Sequence, residues 1–156
     1  MTLNGTNEPI YFNSLYRHGV DEKRRLQIPA KWRPSQGEVT LTLLLWPRGS
    51  MKEACLLALP PAEWDTLVQK LKGMPYADPQ AQTLRRILGT KSDRVSIDKS
   101  GRICLPEAMS KAVGIESEAV LVGLLDRFEI WNPERYESTR VVDEEMSAEA
   151  YKLLSN

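Results

Sequence analysis

Histidine occurs once in this 156-residue chain and cysteine twice. His18 stands alone, and no Ser, Cys or carboxylate lies at a spacing that suggests a catalytic set. No catalytic residue is assigned and no enzyme is expected. Metal centres draw on several His, Cys or carboxylate ligands at close spacing, so neither a metal nor a cofactor is expected. Cys55 and Cys104 have no C-x-x-C neighbour and fall in apolar strand patterns, which reads as two small buried hydrophobes of a reducing compartment. Long hydrophobic runs are missing too. The longest, residues 41–46, is interrupted by Thr42 and is far short of the roughly 20 residues that span a bilayer. Residues 1–7 are polar and lack an apolar signal core. Together these absences predict a soluble cytoplasmic protein with no membrane partner and no small-molecule substrate.

A net charge is also lacking, since 21 Lys and Arg balance 21 Asp and Glu. The distribution is uneven. Residues 17–33 carry Arg17, Lys23, Arg24, Arg25, Lys31 and Arg33 against Asp21 and Glu22, a local net of +4, while the stretch from Glu129 onward is acidic. A basic stripe inside a neutral chain suits either a polyanion partner or a solvated surface. At 42% hydrophobic and 27% charged, the composition is that of a soluble globular protein. The length allows one domain with a core, or two small lobes sharing one.

What the chain does have is a repeat. Residues 20–29 and 97–106 both read apolar-Asp-x-x-x-Arg-apolar-x-apolar-Pro, matching Asp21 to Asp98, Arg25 to Arg102, Leu26 to Ile103 and Pro29 to Pro106 at a spacing of 77 residues. That period is too long for a solenoid and suits a duplicated half-domain. Further on, Pro61-Ala62-Glu63-Trp64 answers Pro133-Glu134-Arg135-Tyr136 at a spacing of 72, so the first copy carries five extra residues. Residues 36–52, with Gly37, Pro47, Gly49 and Ser50, offer the turn chemistry to hold them.

Strand formers fill residues 10–17, and alternation over residues 25–28 points Leu26 and Ile28 to one face, Arg25 and Gln27 to the other. Each Asp-x-x-x-Arg segment is then the polar tip of a local hairpin, the second formed by residues 94–97 and 102–105. Further strands are predicted at 39–46, 53–59, 119–124 and 127–131. Trp64, Leu67, Val68 and Leu71 mark a helix over 61–72 that ends at Gly73. Asp78-Pro79 opens another that stops at Gly89. A short helix covers 107–113, and Asn132-Pro133 caps one running to about residue 140. The tail has weak periodicity and is helical or frayed. Trp32, Trp46, Trp64 and Trp131 read as core residues. The organisation is a leader (1–8), a first repeat (9–75), a connecting helix (76–91), a second repeat (92–142) and a tail (143–156).

A carboxylate and a guanidinium flanking a tight turn can pair across it, so Asp21 and Asp98 read as turn-stabilising. Arg25 and Arg102 lie off the apolar face, with Lys23, Arg24 and Lys99 at the same tips. Two rigid hairpins so equipped suit a two-pronged contact with phosphates or groove edges. His18 reads as a turn-stabilising or phosphate-contacting residue, and Arg17, Lys31 and Arg33 complete the stripe. The competing reading is a protein-interaction module that grips an acidic partner with the same tips.

Residues 18–33 resemble the first signature of the MraZ family, and residues 97–106 resemble its second. Val122-Gly123, Phe128-Glu129-Ile130-Trp131, residues 55–64 and residues 85–89 are also similar, so the likeness runs from about Tyr11 to Glu137. The resemblance implies an α+β fold of two pseudo-symmetric AbrB-like swapped-hairpin β units with flanking helices. It implies a bacterial, nucleoid-associated transcription factor that represses the division and cell-wall gene cluster, including its own gene. It further implies a ring-shaped homo-oligomer that binds double-stranded DNA with short direct repeats. Arg25 matches the family's DNA-contacting arginine and Arg102 its counterpart in the second copy, with the first copy expected to dominate. The family has glycine where this chain has Arg24, and another near Ser14. A positive φ at Arg24 would store strain of order ~1 kcal/mol.

Overall fold

A computed structural model describes residues 9–34 and 39–155; the expected leader and residues 36–38 of the extra stretch, Gly37 among them, lie outside that range. The strands are β1 (Leu15–Gly19), β2 (Arg25–Gln27), β3 (Thr40–Arg48), β4 (Met51–Leu59), β5 (Ser92–Ser96), β6 (Arg102–Cys104), β7 (Glu118–Gly123) and β8 (Phe128–Trp131). The helices are α1 (Pro61–Lys72), α2 (Pro79–Thr90), α3 (Glu107–Ala112) and α4 (Pro133–Tyr151), with 3₁₀ turns at Ala30–Trp32 and Lys152–Ser155.

The two predicted local hairpins are not formed. β2 pairs with β6 in a separate antiparallel ribbon, β1 pairs with β7, and β5 pairs with β3. Within the first copy only the Val20–Leu26 bridge survives. The physical reason lies in strand length. A three-residue strand cannot bury an apolar face within its own hairpin, and isolated hairpins are marginal in water. Exchange sets Leu26 opposite Ile103, and both become fully buried together with Ile28 and Leu105. The fold is thus α+β with swapped hairpins.

The six-stranded sheet runs β1-β7-β8-β4-β3-β5. Matching β1 to β5, β2 to β6, β3 to β7 and β4 to β8 reverses this order onto itself, so the duplication appears as a pseudo-twofold axis. The axis passes through the ribbon pair Leu26 and Ile103, 77 residues apart, and through the β4–β8 pair Leu57 and Glu129, 72 apart. The β3–β4 hairpin has nine-residue strands against six and four in β7 and β8, and it turns at Gly49 with φ +57°. Part of the extra length of the first copy lies there.

Alternation divides the core between the faces of the sheet. Leu43, Leu56, Leu121, Phe128 and Ile130 face the ribbon residues Leu26, Ile28, Ile103 and Leu105, with Trp32 and Phe12. Leu44, Leu57 and Leu59 face Leu71, Leu88, Trp64 and Leu67 of α1 and α2. Asp78 caps α2 by accepting from Gln80 N–H at 2.9 Å, and Asn132 caps α4 through Glu134 and Arg135.

Three further expectations need correction. Cys104 is exposed, because it follows buried Ile103 on a strand and points the other way; Cys55 is buried as expected. Trp46 is 36% exposed, since it lies toward the free end of the β3–β4 hairpin, beyond the helices that cover Leu44. α4 continues to Tyr151 rather than to about residue 140. It buries no side chain, so burial imposed no period on its sequence. Local pairs such as Arg140 with Glu137 and Glu144, and Lys152 with Glu149, support it instead.

Candidate nucleic-acid interface

Burial of Leu26 and Ile103 turns their neighbours outward. The outer face of the β2–β6 ribbon therefore consists of Arg25 opposite Cys104 and Gln27 opposite Arg102. The strands are three residues long, roughly 10 Å at 3.3 Å per residue, and they run antiparallel. One basic turn consequently lies at each end of a single ribbon, with Lys23, Arg24 and Arg25 at one and Lys99 and Arg102 at the other. A two-stranded ribbon of this kind fits a DNA major groove.

The two turns are built alike. Asp21 Oδ1 accepts from the Lys23 and Arg25 backbone N–H groups at 2.9 and 2.8 Å, and Arg25 Nε donates to its Oδ2 at 2.6 Å. Asp98 Oδ1 accepts from the Ser100 and Arg102 N–H groups at 2.8 and 3.0 Å, and Arg102 Nε donates to Oδ2 at 3.3 Å. Bonding to the Arg25 backbone N–H holds the Asp21 carboxyl below its ordinary range, and the Arg102 N–H does the same for Asp98. Each arginine is fixed through Nε, while the structure gives its terminal nitrogens no partner among the described residues. Bidentate recognition of a guanine edge or a phosphate uses those nitrogens.

The position before each arginine is left-handed, with φ +61° at Arg24 and +81° at Gly101. Arg24 thus carries the strain expected of a non-glycine residue there, and Ser14, the other position where a glycine was expected, is left-handed too at φ +82°. The turns are also tied across the copies. Leu105 N–H donates to Arg24 O at 2.8 Å, and Ile28 N–H donates to Gly101 O at 2.9 Å, a pair related by the pseudo-twofold axis. Arg24 Nε adds a bond to Leu105 O at 3.1 Å. Arg33 lies against Gly101, where a Cβ would collide with its guanidinium.

The remaining predicted residues separate. Arg17 is held by Glu118 on β7, with Nε donating at 2.8 Å, which also lowers the Glu118 carboxyl. His18 lies on β1 with its ring parallel to Tyr16 at 6.2 Å. Lys31 is exposed on the 3₁₀ turn after β2. The ribbon face therefore gathers Lys23, Arg24, Arg25, Lys99 and Arg102, and does not incorporate Arg17, whose charge is paired, or Arg33, which packs on Gly101. Gln27, opposite Arg102, joins it; its alternation with buried Leu26 is the signal in the sequence that points to this face. Among the described residues no group of three or more His, Cys, Asp or Glu could hold a metal ion, and no helix is long and apolar enough to cross a membrane.

Comparison with known proteins adds an independent line. A family model described as "MraZ protein, putative antitoxin-like" matches residues 89–152. The chain is 35% identical over 126 residues to the transcriptional regulator MraZ of Thermomicrobium roseum, covering 80% of this chain and 84% of that one. It is 37% identical over 123 residues to the MraZ of Clostridium tetani, covering 78% and 82%. With the MraZ of Acetivibrio thermocellus it shares 34% identity over 140 residues, covering 89% and 92%.

Proposed function

The chain belongs to the MraZ family of transcriptional regulators, and from that premise we propose that it regulates transcription by reading double-stranded DNA with the β2–β6 ribbon. The observation that carries this reading is the ribbon's outer face: Arg25 and Arg102 are each held by an aspartate at Nε, aimed away from the core, and flanked by Lys23 and Lys99. Lys23, Lys99 and Arg24 would meet phosphates and set position. Arg25 and Arg102 would reach base edges and set sequence.

One ribbon makes few phosphate contacts, and non-specific binding of that kind lies around 10⁻⁴–10⁻⁶ M at physiological salt. A ring-shaped homo-oligomer presents several ribbons to tandem direct repeats at once, which raises effective affinity by roughly 10²–10⁴. This reconciles a neutral chain with DNA binding. The targets would be direct repeats upstream of the division and cell-wall gene cluster, including this protein's own gene. The protein would act there as a repressor in the nucleoid.

The test is fluorescence anisotropy with DNA from upstream of the protein's own gene, at two salt concentrations, for wild type, Arg25→Ala and Arg102→Ala. Loss of specific binding with the oligomer intact by light scattering is expected, larger for Arg25→Ala. Equal binding to scrambled DNA, or full binding by both variants, would refute the ribbon mechanism and favour a module that grips an acidic protein.

A further inference from the structure

The pseudo-twofold axis relates Arg25 to Arg102, so a face carrying these two alone would read the same in either direction. Gln27 and Cys104 are also related by the axis, and they differ. Both reach across to the other copy's turn: Gln27 Nε2 donates to Ser100 O at 3.1 Å, and Cys104 Sγ donates to Lys23 O at 3.3 Å. Residues 23 and 100 are themselves equivalent. Gln27 Nε2 also donates to Gly101 O at 3.3 Å, which fixes the amide's orientation, since both partners are carbonyl oxygens that can only accept. Its Oε1 is left over, and no described residue donates to it. Cys104, its thiol turned to Lys23 O, offers no acceptor of comparable strength.

We infer that Gln27 gives the ribbon a direction. Its Oε1 accepts from the exocyclic amino group of an adenine or cytosine beside the base met by Arg102, across the strand. The equivalent place at Cys104 accepts any base. Lys23 against Ser100 and Arg24 against Gly101 also break the symmetry, but phosphate contacts carry no sequence information and cannot impose a direction. The ribbon therefore selects an asymmetric core and binds it one way round, as a row of identically oriented sites requires. This inference rests on the DNA-reading function proposed above.

The test is selection from a random double-stranded DNA library with the full-length protein as wild type, Gln27→Ala and Cys104→Gln. Wild type is expected to enrich an asymmetric core with adenine or cytosine at one flank. Gln27→Ala should lose that preference, a roughly fivefold to tenfold fall in discrimination at one position. Cys104→Gln should gain a second preference and move the core toward an inverted repeat. A wild-type core retained by Gln27→Ala, or unchanged in Cys104→Gln with the same oligomer size, overturns the role of Gln27 and leaves DNA reading intact. Failure of wild type to enrich any core overturns both.

Discussion

Gly101→Ala tests the architecture of the second turn. With φ at +81°, an alanine there costs about 1–2 kcal/mol in the left-handed region. The new Cβ also meets the Arg33 guanidinium and lies 2.9 Å from Gln27 Nε2. Both are ends of flexible side chains and move aside, but Gln27 then gives up its bonds to Ser100 and Gly101 carbonyls, about 0.5–1 kcal/mol at this half-exposed site. Stiffening of the unfolded chain returns about 0.4–1 kcal/mol. The net loss is about 1–2 kcal/mol, or roughly 2–8 °C in Tm for a chain of this length. Urea and thermal unfolding followed by circular dichroism, at one fixed protomer concentration, would measure it. In an Arg33→Ala background the guanidinium clash is removed while the φ cost and the displacement of Gln27 remain, so the cost of Gly101→Ala falls without disappearing. Gly101→Asn, which tolerates positive φ, should cost less. Gly101→Ala within 0.5 kcal/mol of wild type, a threshold of about the usual scatter of surface substitutions, would refute the reasoning.

Arg24→Gly relieves strain of order ~1 kcal/mol but loses the bond to Leu105 O and adds backbone freedom, so its stability should stay within about 1 kcal/mol of wild type in the same unfolding assay. Leu26→Ala removes a fully buried side chain at the centre of the ribbon and should cost about 2–5 kcal/mol, read as a lower urea midpoint. A bulky maleimide should label exposed Cys104 in the native protein and not Cys55, whose thiol burial pushes up; mass spectrometry locates the adduct, and the labelled ribbon should no longer bind DNA. The depressed Asp21 and Asp98 carboxyls stabilise the turns above their unfolded value of about 3.8. That contribution is lost as pH falls below this value through the lower folded-state values, so the Arg25 and Arg102 amide resonances should titrate there, and Asp21→Asn should abolish only the first.

The repeat was legible because chemistry constrained it twice. An Asp accepting three bonds inside a turn and an Arg held by its Nε leave little freedom at positions 21, 25, 98 and 102. The helix over 61–72 was legible because α1 buries one face, and α2 was announced by Asp78 and Pro79. Strand partners were not legible. Alternation tells which side of β2 is buried but not which strand lies beside it, and a short-range hairpin and a swapped one demand the same pattern. The second half of α4 escaped for the opposite reason: with nothing buried, only charge pairs record it. Gln27 was placed on the correct face by alternation, yet its meaning depends on Ser100 and Gly101, 73 and 74 residues away.

Strand exchange has a consequence for how the chain is made. β1 finds its partner only when β7 appears, with Leu15 waiting for Val122. At 5–20 residues per second, the first strand leaves the ribosome roughly 5–20 s before the residues that complete it. Neither copy can finish alone, because β2, β3 and β1 each need a strand from the other. During that interval the early strands present open edges to any chain of the same sequence emerging nearby. Synthesis on one message by successive ribosomes therefore places exchangeable halves side by side, and the fold's internal swap is the reaction that competes with a swap between neighbours.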